Sequence, residues 1–256
     1  MSRRLDGGEQ RAEAAALPAP ERERVFRCAE LSLELDEPLA GSAPVAARWE
    51  LVERPKPWGR KHGLVMDGAK VLLVKPISRD SPRDVSEELS PGQRRYLVCT
   101  NGARDPCCAI RGPAVAQALE RELPGQVYEC SHLGGHRFAA NVLVLPDGLC
   151  FGRLDARTAV ALAAELEAGR LPLDHLRGRT ALEPEQQAAE ILVRRELGLT
   201  RLAELRLAEG TTFELADGRR AKARLQAHKL EAQRVSCRDA KVEAATRWEL
   251  EELVLA

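Results

Sequence analysis

The sequence predicts a mixed α/β (α+β) fold, and three observations carry that prediction. Short apolar runs of strand length, such as residues 96–99 and 142–145, alternate with longer Ala/Leu-rich stretches of helical period. Turn signals such as Pro124-Gly125 and Pro146-Asp147-Gly148 separate them. Their order is strand, helix, strand and then strand, strand, helix, which is thioredoxin-like.

Taken along the chain, residues 1–24 are rich in Ala, Glu, Arg and Pro and lack aromatics, the composition of a disordered tail. Residues 25–90 read as a β-rich part: Leu31 to Leu35 alternates, residues 48–52 suit a strand, and Asp67-Gly68 between apolar runs suits a hairpin. Residues 91–178 carry the ordered pattern. A strand over 96–99 is followed by a Gly/Asp/Pro loop ending at Gly112-Pro113, where Pro suits the first position of a helix. Val115, Ala116, Ala118, Leu119 and Leu123 give that helix an apolar face until Pro124-Gly125 stops it, and residues 126–130 form the next strand. A helical crossover makes the two strands parallel if they share a sheet, so Cys99 and His132 emerge at the same edge. A hairpin of residues 142–145 and 149–151 and an Ala/Leu helix over 157–168, closed by Gly169, complete the unit.

Residues 179–256 read as a C-terminal extension. After the basic stretch Leu176-Arg177-Gly178-Arg179, a helix runs from Pro184 to Leu197 with Gly198 as its cap. A small β unit follows, signalled by residues 211–215, the Asp217-Gly218 turn and the alternation at Trp248 and Leu250. No repeat of fixed period is present.

Composition narrows the function classes. Lys plus Arg equals Asp plus Glu at 39 each, which provides no electrostatic footprint for nucleic acid or an anionic membrane. No apolar run of membrane-spanning length and no hydrophobic signal core is present, so a cytoplasmic location is expected. There the seven cysteines, an odd number, are expected as reduced thiols or metal ligands rather than disulfides.

Four of those cysteines and two of the five histidines lie between positions 99 and 136. Eight residues separate Cys99 from Cys108, three separate His132 from His136, and 23 lie between the pairs. Structural zinc sites draw their cysteines from tighter knuckles, which makes zinc the second choice. Two thiolates with two imidazoles suit an iron–sulfur cluster of the kind in which histidines replace cysteines on one iron. Gly134-Gly135 between the histidines lets backbone amides approach such an anion.

The loop Cys-Thr-Asn-Gly-Ala-Arg-Asp-Pro-Cys-Cys from Cys99, the run Ser-His-Leu-Gly-Gly-His-Arg-Phe-Ala from Ser131, Leu145-Pro146-Asp147-Gly148, Gly152-Arg153, Arg177-Gly178-Arg179 and Gln187-Ala188-Ala189-Glu190 resemble the sucrase/ferredoxin-like family. The resemblance covers about residues 40 to 200 and includes Pro57-Trp58-Gly59. It implies a bis-histidinyl, non-Rieske [2Fe-2S] protein on a thioredoxin-like ferredoxin fold, with Cys99, Cys108, His132 and His136 as ligands. It also implies that both histidines share the outer iron, nearest solvent, where reduction can couple to protonation. Asn101 departs from the pattern, since relatives commonly carry His after the Thr. Glycoside hydrolysis is not expected, because the many Glu residues fall on ordinary charged helix faces rather than as a flanking pair.

The expected function is therefore electron transfer to or from an unidentified redox partner protein, rather than turnover of a substrate. A metal-free thiol–disulfide protein using Cys99 or Cys107-Cys108, and a structural zinc module, are the alternatives; the first lacks a Cys-x-x-Cys motif. Cys107 competes with Cys108 as ligand, Cys28, Cys130, Cys150 and Cys237 are expected as packing residues, and Trp58 as a core anchor. Arg111 and Arg137 stand near the ligands in sequence and are candidates to hold charge there, and His62, His175 and His228 are expected in solvent.

Overall fold

Short apolar runs and one helical crossover build an eight-stranded sheet in the computed structural model, which describes residues 38–44, 49–53, 62–66, 70–76, 93–102, 106–236 and 240–256. The expected tail, the Leu31 to Leu35 alternation, Cys28, Trp58 and Cys237 lie outside the described residues. The N-terminal part contributes β1 (Trp49–Glu53), β2 (His62–Met66) and β3 (Lys70–Pro76). The central strands are β4 (Arg95–Cys99), β5 (Val127–Cys130), β6 (Val142–Leu145) and β7 (Leu149–Phe151), and β8 (Leu176–Arg179) closes the sheet. Strand order is β1-β2-β3-β5-β4-β6-β7-β8. The pair β4/β5 is parallel, as the crossover requires, while β4/β6 and β6/β7 are antiparallel. The order β5-β4-β6-β7 with one parallel crossover is the thioredoxin-like arrangement, and β3 extends it by pairing antiparallel with β5.

Helix α1 (Cys107–Glu122) is the crossover, and it differs from expectation at its start. It begins at Cys107, not at Pro113, so Pro113 lies inside the helix. The close fit of Gly112 explains the difference: a Cβ there would meet the Cys99 carbonyl oxygen at 2.3 Å. Only glycine lets the first turns of α1 lie directly on the end of β4, and the burial of Cys107 and Cys108 that results offsets the one backbone bond Pro113 forgoes.

Helix α2 (Ala156–Glu167) is capped by Asp155, whose Oδ1 accepts from the Thr158 amide at 2.7 Å. It packs on α1 over a core that includes Tyr96, Val98, Val142, Val144, Leu119 and Leu162. Helix α3 (Pro184–Leu197) starts and ends where the sequence predicts, with Gly198 left-handed at its end. It belongs to two cores at once: Ile191 joins the main core, whereas Ala189 and Val193 join a second one with Phe213 and Leu215.

That second core underlies a four-stranded sheet of order β14-β11-β10-β9, formed by β9 (Leu205–Glu209), β10 (Thr212–Leu215), β11 (Arg220–Lys229) and β14 (Thr246–Leu255). Between β11 and β14 the chain makes a small hairpin of β12 (Gln233–Arg234) and β13 (Val242–Glu243). β8 is an addition to the sequence reading. Its basic residues suggested a connection, but Arg177 is buried and Arg179 is ion-paired to Glu190 at 2.8 Å, so strand residues here are polar.

Candidate metal centre

The parallel register sets β4 beside β5, with Cys99 opposite Cys130, so the two loops that leave their ends face each other. Cys99 ends β4, Cys108 lies in the first turn of α1, and His132 and His136 follow β5. The structure brings these four residues together. The Cys99 sulfur interacts electrostatically with the Cys108 thiol and with His132, and the His132 and His136 ring centroids lie 5.9 Å apart. Of the adjacent cysteines it is Cys108 whose thiol meets Cys99, while Cys107 is buried beside it. Among the described residues no three His, Cys, Asp or Glu side chains converge on one point fit for a single ion. The arrangement is a neighbouring pair of cysteines with a pair of imidazoles beside it.

Electrostatics prepare the cysteine pair. The Cys99 thiol is held well below the usual thiol range, chiefly because Cys108 donates to its sulfur; burial opposes this, and His132 and the backbone at Asn101 and Leu133 add to it. Cys108 is correspondingly pushed up as the donor to a buried thiolate, with burial adding to the effect. Cys130 and Cys150 are pushed up first by burial, the behaviour of packing thiols, and all five described cysteines are free.

A buried polar network supports the histidine loop. Asn141 donates from Nδ2 to the Gly135 carbonyl at 2.9 Å and lies 3.9 Å from the Cys108 sulfur. Its Oδ1 accepts from Arg177 Nη1 at 3.0 Å, and the same nitrogen reaches the Gly134 carbonyl at 3.1 Å and Cys150 Sγ at 3.6 Å. Arg177 also holds the N-terminal segment through Ser42, donating from Nε to Oγ at 3.2 Å and from Nη2 to the carbonyl. Gly135 is left-handed at φ 68°, and a Cβ there would meet Arg177 Nη2 at 2.6 Å, so the loop rests directly on the guanidinium. Phe138 is buried, with the guanidinium carbon of Arg177 4.8 Å and that of Arg137 4.7 Å from its ring centre.

Sequence reasoning did not single out Asn141, and it read Arg177 as part of a basic stretch and of a family motif without a role at the site; the signal was a polar residue next to a buried apolar run. Of the two arginines it did name, Arg111 donates to the Ala139 carbonyl at 3.3 Å and Arg137 flanks Phe138. The expectation that both imidazoles face solvent is corrected in part. Both are half-buried, and His136 Nε2 meets the Val235 carbonyl at 2.8 Å, because the β12–β13 hairpin lies over that side. His175 is likewise half-buried, with Nδ1 3.2 Å from the Gly152 carbonyl.

Residues 64–178 match the sucrase/ferredoxin-like family, which is the family the cysteine and histidine motifs resemble. That stretch contains Cys99, Cys108, His132, His136, Asn141 and Arg177, and it leaves α3 and the second sheet outside. No curated protein matches the chain. Among solved structures, two cysteine-to-serine variants of the thioredoxin-like [2Fe-2S] ferredoxin from Aquifex aeolicus are similar at 14% identity and a TM-score of 0.30. Each match covers 32% of this chain and 96% of that one. Among the described residues no helix is long and apolar enough to cross a membrane.

The donor set fits an iron–sulfur cluster on its own chemistry. A metal needs deprotonated thiols and neutral imidazoles, and the site holds Cys99 toward its thiolate. A carbonyl can only accept, so the contact with Val235 places the hydrogen of His136 on Nε2 and its lone pair on Nδ1, the nitrogen that a metal would then take.

Proposed function

We propose that this protein is an iron–sulfur electron carrier that holds one [2Fe-2S] cluster through Cys99, Cys108, His132 and His136. The observation that carries the reading is the meeting of two thiols and two imidazoles from separate loops, with Cys99 biased to thiolate and His136 fixed by the Val235 carbonyl. When bound, a [2Fe-2S] cluster supplies a one-electron couple, and histidine ligation places its potential above that of all-cysteine clusters.

The residues of the chain have distinct tasks in this reading. Cys99 and Cys108 would hold the cluster as thiolates, and the α1 N-terminus and the amides near Asn101 and Leu133 would balance their charge. His132 and His136 would complete the ligand set through neutral imidazoles, and His136 holds its proton on Nε2 against Val235. Asn141 and Arg177 keep the glycine loop and Cys108 in register through hydrogen bonds, and Arg177 adds a buried positive charge beside an anionic group. The partner is a redox protein; no nucleic acid or membrane enters the reading.

An optical spectrum with iron and acid-labile sulfide analysis tests it. A red-brown protein with two iron and two sulfide per chain is expected, because four ligands of this type complete one such unit. Stoichiometric zinc without sulfide, or a colourless protein whose Cys99 and Cys108 cycle as a disulfide, would overturn it. Serine at Cys99 or Cys108 should empty the site, whereas serine at Cys107, Cys130 or Cys150 should leave iron and sulfide in place.

A further inference from the structure

We propose that the β12–β13 hairpin is a cap over the His136 side of the metal centre, and that the Val235 carbonyl is a positioning group that decides which ring nitrogen of His136 is presented to metal. This rests on the reading of the site given above, but the hairpin lies outside the stretch that matches the family.

The contact between the two parts of the chain is specific. His136 Nε2 lies 2.8 Å from the Val235 carbonyl oxygen, 99 positions away in sequence. A ring whose outer nitrogen donates to a backbone carbonyl is fixed in both tautomer and orientation, which is how metal-bound imidazoles are commonly held. The hairpin is built to deliver that carbonyl. β12 pairs antiparallel with β13, the Val235 amide donates to the Lys241 carbonyl at 3.1 Å, and Arg234 Nε donates to the Ser236 carbonyl at 2.9 Å.

Burial points the same way. Glu231, Ala232, Arg234, Lys241 and Val242 are exposed, yet Val235 is only 4% and Ser236 only 5% exposed. A hairpin of two-residue strands has no core of its own, so these two residues are buried against the domain beneath. Charge adds to the docking: the Glu243 carboxyl is held below the usual carboxylate range, first by Lys241, with burial opposing and Arg137 contributing from the histidine loop. The second sheet is thereby the scaffold of the cap, because β11 and β14 carry the hairpin at their shared end and α3 joins that sheet to the main core.

The strand ends provide a clean test. Leu230 N–H donates to the Ala245 carbonyl at 2.9 Å, so residues 231–244 can be replaced by an Asn-Gly turn that closes β11 onto β14. In iron-loaded protein with a ferrous chelator as probe, the shortened chain should keep two iron and two sulfide but release iron roughly 10–100-fold faster, the usual cost of losing an outer partner. The histidine nitrogen couplings in the electron paramagnetic resonance spectrum of the reduced protein should change as well. Release and couplings identical to the full chain would overturn the proposal. If the shortened chain does not fold, Val235→Asp in the full chain replaces it, since a carboxylate at a buried position lifts the hairpin without changing its length, and the same two readouts apply. Metal-free protein separates this proposal from the reading of the site: nitrogen NMR of the full chain should find His136 as the Nε2–H tautomer, and the shortened or Val235→Asp variant should lose that preference. A full chain that binds no iron would overturn the metal reading alone, and a metal-free full chain without the Nε2–H preference would overturn the cap.

Discussion

Arg177 donates from Nη1 to Asn141 Oδ1 at 3.0 Å with both side chains buried, and this bond joins the edge strand β8 to the residue that holds both Gly135 and Cys108. One guanidinium therefore organises Ser42, the glycine loop and, through Asn141, the surroundings of Cys108. Asn141→Leu keeps the branched shape but leaves Arg177 and the Gly135 carbonyl each short of a partner. A loss of about 1–3 kcal/mol per stranded group is expected. Urea midpoints of wild type and variant measure it, and iron retained per chain should fall in parallel.

Gly112→Ala places a methyl group 2.3 Å from the Cys99 carbonyl, a distance that forces α1 away from β4. Overpacking of this kind costs about 1–3 kcal/mol. Because Cys108 rides on the first turn of the same helix, the displacement should also separate it from Cys99. Serine at the same position should behave no better. An unchanged urea midpoint together with full iron content would contradict the tight fit of helix on strand.

Glu190 joins Arg179 at 2.8 Å and Arg194 at 2.9 Å, and Arg194 has no exposed side-chain surface. Glu190→Gln should destabilise the fold by about 3–5 kcal/mol, because Arg194 stays charged in a buried position. Its guanidinium also donates to the carbonyls of Arg201, Leu202 and Leu205, so it cannot swing out to water without breaking those bonds. Combining Glu190→Leu with Arg194→Met should cost less than the two single changes summed, which a double-mutant cycle in urea reads directly.

Tyr96 donates its hydroxyl to Glu167 Oε1 at 2.8 Å, and its ionisation is pushed above the ordinary tyrosine range, first by burial and then by that carboxylate. The raised value means that the folded state holds the proton more tightly than the unfolded chain does. The stabilisation is complete below the unfolded value of about 10 and is lost as pH rises beyond it. Stability measured from about pH 8 to about pH 11 should fall on the alkaline side, and Tyr96→Phe should flatten that fall. A wild-type tyrosinate absorbance that grows before unfolding would contradict the prediction.

The central strands, α2 and α3 were legible because their apolar periods and their stops at Gly169 and Gly198 are local properties. The meeting of Cys99, Cys108, His132 and His136 was legible too, since a helical crossover dictates which strand ends share an edge. The start of α1 was not, because only the close approach of β4 to Gly112 draws the helix back to Cys107. β8 was hidden for a related reason: Arg177 and Arg179 look like loop residues until Asn141, Ser42 and Glu190 supply their partners from elsewhere in the chain.

By itself, then, the sequence determined the fold class, the order of the central elements and the residue types that gather at one edge, since spacing and period are written in neighbouring positions. Only the tertiary structure decided which groups orient them. Arg177 reaches the Gly134-Gly135 loop and Val235 reaches His136 from far along the chain, and nothing local marks either as a partner. A buried hydrogen bond is set by the packing of whole elements, so its partners become visible only once the sheets and helices are in place.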